Sequence, residues 1–134
     1  MAKNFNVAVL LAGCGYLDGA EIRESVLTLL ALDQHGAQAQ CFALDEGQHH
    51  VVNHLTGQVV EGQGRNILEE AARIARGQVK PLSQADADDF DALIMPGGFG
   101  VAKNHCGFAF KGAEAKIKMR VVIDTWKQDR KSVV

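Results

Sequence analysis

The feature that most constrains this chain is an apolar strand that runs into a glycine turn and then into a helix. The run FNVAVLLA, residues 5–12, is short and apolar, which is typical of a central strand in a parallel sheet. The segment AGCGYLDGAEIRE, residues 12–24, follows with glycines at positions 13, 15 and 19. We expect this turn at the carboxyl end of the strand, where α/β sheets bind ligands.

A helix and a second strand are predicted after the turn. The helix begins at Asp18 or Gly19, carries acidic residues in its first turn and stops at Gly36. AQAQCFAL, residues 37–44, then predicts a second strand, so the chain opens as an α/β fold. The helix has a wide apolar stripe, and we expect it to be well buried. The stripe consists of Ile22, Val26, Leu27, Leu29, Leu30 and Leu32.

The rest of the chain continues this alternation. No repeat, low-complexity tract or linker interrupts it, so we expect one domain over residues 1–134. The terminal KSVV resembles the start of a buried strand, which leaves a parallel sheet unfinished; either the domain is longer or another chain covers its edge. The predicted elements are a hairpin around Thr56-Gly57, a helix over 65–77 with Gly77 as C-cap, a polar stretch over 78–90 with a turn capped by Ser83, a strand over 92–95 and a helix over 114–128.

Composition excludes several classes of protein. A net charge of −2 provides no basic surface for nucleic acid. Cys14, Cys41 and Cys106 are odd in number and share no CxxC spacing, which argues against a disulfide framework and a structural zinc site. The apolar stretch near the N-terminus is too short for a membrane span. We therefore expect a cytoplasmic protein without a membrane or nucleic-acid partner, and a Cys41 that packs in the core.

The glycine turn admits two interpretations. Its position between a strand and a helix, with Asp45 near the end of the second strand, is similar to that of a dinucleotide-binding loop. The glycine spacing is one residue too long, however, and Asp18 would place negative charge where a phosphate should lie. A steric role for the glycines is therefore favoured. Cys14 lies near the helix N-terminus, where a thiolate could be stabilised, but a chemically quiet thiol is favoured.

Several carboxylates and histidines are candidates for chemistry. Glu21 and Glu24 are three apart and share a helix face. Glu24 is either a surface carboxylate or a proton donor beside a nucleophile. His49, His50 and His54 lie in an irregular segment without a paired acidic ligand, so we expect no metal site. His54 remains a candidate general base or pocket residue.

A second glycine loop, MPGGFG, covers residues 95–100. A strand that ends in Pro-Gly-Gly exposes backbone N–H groups at the carboxyl edge of a sheet, and glycine lets the backbone approach a ligand. Two such donors form an oxyanion site of the kind used in carbonyl chemistry. The alternative is another tight turn. Because both glycine loops are expected at the same edge of the sheet, the functional interpretation is favoured.

Together these segments resemble a known family. LLAGCGYLDGAEIRESVLTLLALDQHGAQAQCFA, VVNHLTG, RNILEEAARIARG and DALIMPGGFGVAKN are similar to the ElbB type (enhancing lycopene biosynthesis protein) of the DJ-1/PfpI superfamily, over about residues 5–104. The resemblance implies a flavodoxin-like, three-layer α/β sandwich of the class I glutamine amidotransferase-like kind. Its mainly parallel sheet would be incomplete at the C-terminal end, with residues 1–134 as the N-terminal two-thirds of the domain, commonly in a homodimer.

The resemblance also implies a site. Glu24 would be the carboxylate beside the nucleophile, and the Gly97 and Gly98 amides would form the oxyanion site. The family's nucleophile cysteine would come just after KSVV, so none of this chain's three cysteines takes that role. Around the substrate pocket we place Cys14, Gly15, Asp18, His54 and Asn104.

The implied activity is glyoxalase-like: a lyase that acts on glyoxal-type oxoaldehydes without a cofactor or metal, in a protein associated with isoprenoid biosynthesis. We expect these 134 residues by themselves to lack it, because the thiol is missing. Two other functions stay open, namely a non-catalytic dimerising or regulatory member of the superfamily, and a nucleotide-binding module that uses the first glycine loop.

Overall fold

A computed structural model describes residues 4–105 and 132–133 of the chain. The elements in chain order are β1 (Asn6–Leu10), α1 (Ile22–Gln34), β2 (Gln38–Ala43), β3 (Val52–Asn53), β4 (Gln58–Val59), α2 (Ile67–Ala75), β5 (Val79–Pro81), β6 (Ala92–Ile94), α3 (Phe99–Lys103) and β7 (Ser132–Val133). Two short 3₁₀ turns, Leu82–Gln84 and Ala87–Asp89, connect β5 to β6. None of the helices described in these ranges is long and apolar enough to cross a membrane.

Five parallel strands form the main sheet, in the order β5-β2-β1-β6-β7. Val9 in β1 lies between Cys41 of β2 and Ile94 of β6, so β1 is central, as predicted. Because all five strands run the same way, their carboxyl ends meet at one edge of the sheet. The glycine loops that follow β1 and β6 therefore lie side by side. The prediction of an α/β fold with a mainly parallel sheet is confirmed.

The core forms around β1 and the apolar face of α2. Every residue from Val7 to Ala12 is at most 5% exposed, which is typical of a strand covered on both faces. Helix α2 starts where Asn66 accepts a hydrogen bond from the Glu69 N–H (3.0 Å), and its Ile67, Ala71 and Ala75 form a buried stripe. The same-direction crossovers from β1 to β2 and from β2 to β5 place α1 and α2 on one face of the sheet.

The prediction of a well-buried α1 is wrong for four of the six residues in its apolar stripe. Among its core-side residues, Ser25 is fully buried, and Leu29 and Leu32 are partly buried against the sheet. The other apolar side chains are 46–61% exposed: Ile22, Val26, Leu27 and Leu30. The apolar arc is wider than the stripe that one sheet face covers, because a helix of this diameter contacts the sheet along a single line.

Other differences are local. Val79–Pro81 lies in the stretch predicted as polar, where no strand was expected, yet it pairs with β2 as an edge strand. Ser83 caps nothing, since its 3₁₀ turn has no side-chain cap. Arg76, with a left-handed backbone, is the C-cap of α2, and Gly77 follows it. The hairpin around Thr56-Gly57 is confirmed as β3–β4, and the terminal strand as β7. The predicted helix over 114–128 lies outside the described residues.

Candidate active site

The first turn of α1 connects the two glycine loops. Glu21 precedes the helix, and its side chain accepts a hydrogen bond from the Glu24 N–H (2.7 Å), which satisfies an otherwise unpaired helix donor. The Glu21 N–H donates to the Gly97 carbonyl oxygen (2.7 Å). The start of α1 is thereby fixed to the second glycine loop, and Glu24 comes one helical turn later on the same side.

The Glu24 carboxylate lies directly beside Gly97. A Cβ added to Gly97 would be 2.5 Å from Glu24 Oε2 and 3.2 Å from its Cδ, so the carboxylate occupies the space that a side chain at position 97 would need. The prediction that these two residues form one site agrees with this geometry. The carboxylate is exposed, and it therefore stays accessible to a substrate.

Two backbone donors of the second glycine loop have no hydrogen-bond partner among the described residues. The N–H groups of the next residues, Phe99 and Gly100, donate to the Tyr16 and Gly19 carbonyls at 2.8 and 2.9 Å, which joins the two glycine loops. The N–H groups of Gly97 and Gly98, by contrast, make no hydrogen bond with another described residue. Two neighbouring N–H groups beside a carboxylate are the components of an oxyanion site with an acid–base group.

Asp18 and His54 fasten the β3–β4 hairpin to the first glycine loop. Asp18 is buried, and its Oδ2 accepts from the Val52 N–H at 2.8 Å. His54 Nε2 accepts from the Leu17 N–H at 3.3 Å while Nδ1 lies 3.1 Å from the Val52 carbonyl oxygen, to which it donates in this tautomer. Asp18 Oδ1 is 3.7 Å from His54 Nε2. Both side chains are thus engaged in holding the loop, and His54 is not a free base in this arrangement.

Asn104 does not line a pocket. Its side chain is fully buried and donates from Nδ2 to the carbonyl oxygens of Ala12 and Asp18, each at 2.9 Å. Its Oδ1 accepts from the His49 N–H at 3.0 Å. Gly15 is also turned inward, because its N–H donates to the Ala20 carbonyl at 2.8 Å. The placement of Asn104 around the pocket is therefore corrected: the carboxamide is directed into the protein.

The pKa of each described cysteine is raised above its ordinary value. Burial raises the pKa of Cys41 to about 11. The pKa of Cys14 is raised by burial and by the negative charge of Glu70, against an opposing effect of Arg73. The two largest charge effects on Cys14 come from Glu70 and Arg73 of α2. A quiet thiol, as favoured from the sequence, agrees with these surroundings, and Cys41 packs in the core as predicted. Cys106 lies outside the described residues.

The glycines of the first loop serve the turn rather than a phosphate. The Gly19 N–H donates to the Gly15 carbonyl at 2.7 Å, and the Gly15 N–H is engaged with Ala20. The helix N-terminus is already capped by the Glu21 carboxylate, which would repel a phosphate at that position. The steric interpretation of the loop is therefore the better one.

The three histidines do not converge. The rings of His49 and His50 lie 4.4 Å apart, whereas His54 packs edge-on against Tyr16, with ring centroids 5.4 Å apart. Within residues 4–105, no three His, Cys, Asp or Glu side chains are grouped as metal ligands would be.

The sequence interpretation missed two residues that shape the site. Glu21 caps α1, although glutamate is not among the residues preferred at an N-cap, so the capping rules do not point to it. Lys103 was not considered; its Nζ donates to the Leu17 carbonyl at 2.8 Å and so ties α3 to the first loop. No local pattern identifies this second contact, because its partners are 86 positions apart.

Comparison with known proteins gives relatives of similar sequence and fold. No family model matches the chain. The human "Glutamine amidotransferase-like class 1 domain-containing protein 3, mitochondrial" is 48% identical over 115 residues, which are 86% of this chain and 43% of the human protein. A crystal structure of an isoprenoid biosynthesis protein with an amidotransferase-like domain from Ehrlichia chaffeensis is 43% identical, with a TM-score of 0.91 over 96% of this chain and 59% of its own. Over most of its length, this chain is therefore similar to proteins whose names describe a glutamine amidotransferase-like or amidotransferase-like domain.

A similar fold occurs in more distant proteins. A ThiJ/PfpI domain protein from Brachyspira murdochii has a TM-score of 0.53 at 15% identity, which shows the fold alone. The chain spans 43% of the length of the human protein. The human relative's name places that protein in mitochondria, which does not fit the expected cytoplasmic location.

Proposed function

We propose that the complete protein is a glyoxalase-like enzyme of the ElbB type, which converts glyoxal-type oxoaldehydes without a cofactor and serves isoprenoid biosynthesis. The observation that carries the proposal is the Glu24 carboxylate beside Gly97, next to the N–H groups of Gly97 and Gly98 that bond to no described residue. The Ehrlichia protein similar to this chain bears the description of an isoprenoid biosynthesis protein, which supports the biological context.

The proposed chemistry begins with a thiol that adds to the aldehyde carbon. The new C–S bond converts the carbonyl oxygen into an oxyanion, and the N–H groups of Gly97 and Gly98 stabilise it. Glu24 takes the thiol proton and passes it to the oxyanion, which gives a hemithioacetal. It then moves the carbon-bound proton of the former aldehyde carbon to the neighbouring carbonyl carbon, while the hydroxyl proton passes to the oxygen of that neighbour, and the former aldehyde carbon becomes the thioester carbonyl. Water cleaves the resulting thioester to a 2-hydroxy acid and regenerates the thiol, so the net reaction adds one water molecule.

The thiol is proposed to come from a cysteine after Val134 in the complete gene product. Strand β7 pairs with β6 in parallel, with Ser132 opposite Ala92 and Val133 opposite Leu93. A chain that continues from β7 would leave the sheet at the same edge as the Gly97 loop. Cys14 is a poorer candidate, because burial and Glu70 favour its protonated form.

The test compares two glutamates in equivalent helix positions. Glu24 and Glu69 are both exposed, and each has its N–H bonded by the residue that caps its helix, but only Glu24 is beside Gly97. In the complete protein, Glu24→Gln should lower glyoxal turnover about 100- to 10,000-fold, the usual contribution of an acid–base group. Glu69→Gln should leave turnover within twofold. Equal turnover in the two variants would remove Glu24 from the mechanism, and a wild-type protein that consumes no oxoaldehyde would reject the proposed function.

A second candidate is a non-catalytic, dimerising member of the superfamily. The observation that favours it is the half-exposed apolar stripe of Ile22, Val26 and Leu30, spaced four residues apart along α1. Analytical ultracentrifugation of the complete protein and of Val26→Asp tests the dimer. A dimer that Val26→Asp converts to a monomer, in a wild-type protein without turnover, would favour this candidate over the enzyme.

A further inference from the structure

The side chain of Asn104 uses its hydrogen-bonding groups on three separate parts of the chain. Nδ2 binds the Ala12 carbonyl, where β1 gives way to the first glycine loop, and the Asp18 carbonyl near the other end of that loop. Oδ1 binds the His49 N–H in the segment after β2. A fully buried carboxamide with both amide hydrogens donated at 2.9 Å orients its partners strictly, because any rotation leaves a buried polar group unpaired.

Asn104 is also connected to the second glycine loop. It is the C-cap of α3, and its own N–H donates to the Gly100 carbonyl at 2.7 Å. The first turn of α3 binds the first glycine loop through Phe99 N–H and Gly100 N–H. Asn104 and these two N–H groups therefore clamp that loop from both ends of a helix that begins directly after Gly98.

We propose that Asn104 is a positioning residue, which holds the first glycine loop against α3 and so fixes the Gly97 and Gly98 amides relative to the Glu24 carboxylate. The effect of this positioning on catalysis rests on the proposed function. The reason is geometric: Glu24 reaches Gly97 because Glu21, at the end of the first loop, is bonded to the Gly97 carbonyl. A loop released at Ala12 and Asp18 no longer sets that distance, and a displacement of about 1 Å can cost about 100-fold in rate.

The experiment uses Asn104→Asp in the complete protein. The substitution keeps the shape and the acceptor for His49 but replaces both donors with oxygen facing two carbonyl oxygens. The matched control is Asn53→Asp in the β3–β4 hairpin. In the side chain of Asn53, only Oδ1 has partners among the described residues, and it accepts hydrogen bonds from the Leu55 and Thr56 N–H groups. Aspartate offers the same acceptor, so it can replace asparagine at this position.

Two measurements separate positioning from folding. In Asn104→Asp, hydrogen exchange at the Phe99 and Gly100 amides should be at least tenfold faster than in the wild type, whereas exchange in α2 should not change. In Asn53→Asp, exchange at the same two amides should equal that of the wild type. Turnover of glyoxal per folded molecule should show kcat lower by about 10- to 100-fold with KM within threefold, since the amides are displaced rather than removed.

The outcomes are distinct. A wild-type protein without turnover rejects the proposed function, and exchange at Phe99 and Gly100 then decides the positioning claim by itself. The proposal is overturned if hydrogen exchange in Asn104→Asp rises equally throughout the chain. It is also overturned if Asn104→Asp folds and has the kcat of an active wild type. If Asn104→Asp does not fold, Asn104→Ser, which keeps one donor without a charge, takes its place in both measurements. Failure of both variants to fold would make Asn104 a folding residue and would equally overturn it.

Discussion

Adjacent glycines of the second loop should respond to alanine in opposite ways. Gly98 has φ +118° and ψ 155°, a conformation that is essentially restricted to glycine. A Cβ there would lie 2.5 Å from the Gly19 carbonyl oxygen and 2.6 Å from the Glu21 nitrogen. Both obstacles are backbone atoms of the other loop, so they cannot rotate away. We expect a backbone cost of about 1–3 kcal/mol and an overpacking cost of about 1–3 kcal/mol.

At Gly97 the obstacle is the end of a flexible, exposed side chain. Alanine would push the Glu24 carboxylate aside, so Gly97→Ala should change the free energy of unfolding by less than about 1 kcal/mol yet impair glyoxal turnover. Urea unfolding of the complete protein measures the stability difference. Gly57→Ala is the control for backbone conformation alone, because Gly57 has φ +77° but open space around its Cβ position; it should cost about 1–2 kcal/mol. A Gly98→Ala protein as stable as Gly57→Ala would refute the argument that the two loops are packed backbone to backbone.

Two further predictions concern buried groups. The pKa of Cys41 in the folded protein is about 11, above the ordinary value of 9.0. The stability that the protonated thiol contributes is therefore intact below pH 9 and is lost as the pH rises to 11. The loss in the free energy of unfolding is about 3 kcal/mol. Urea unfolding at pH 8.5 and 11 should show this part of the pH dependence disappear in Cys41→Ala, and an unchanged dependence would contradict it. Asp18→Ala should cost about 1–3 kcal/mol by leaving the buried Val52 N–H unpaired, whereas Asp18→Asn, which keeps an acceptor, should cost less. Equal unfolding midpoints for the two variants would exclude the Asp18–Val52 bond as the cause.

Several features of the fold followed from local sequence signals. The continuous apolar run of β1 predicted a central strand, since a strand covered on both faces needs no polar alternation. The Thr56-Gly57 turn predicted the hairpin, because Gly57 supplies the positive φ that its turn requires. Where the signal was weak, the prediction failed: Val79–Pro81 is three residues long, contains a proline and becomes a strand only by pairing with β2.

The candidate site was predictable in its chemistry but not in its assembly. Glu24 and the Gly97-Gly98 pair were identified from the resemblance, and both glycine loops from their positions after apolar strands. The role of Asn104 could not be predicted, because its partners Ala12 and Asp18 are 92 and 86 positions away. A buried carboxamide has no distinguishing local pattern, and its meaning depends on which carbonyls the fold brings to it.

The sequence by itself determined β1, β2, β6, the β3–β4 hairpin, the helices α1 and α2 and the glycine turns, because each rests on interactions between residues near in the chain: hydrophobic periodicity, caps and backbone freedom. It predicted neither β5 nor α3. The tertiary structure alone decided which side of α1 is covered, how the two glycine loops interlock and where Glu24 lies. The physical reason is the strand order of the sheet. By placing β6 directly beside β1, it brings segments about 80 residues apart to a single edge, where backbone contacts rather than side-chain patterns set the geometry.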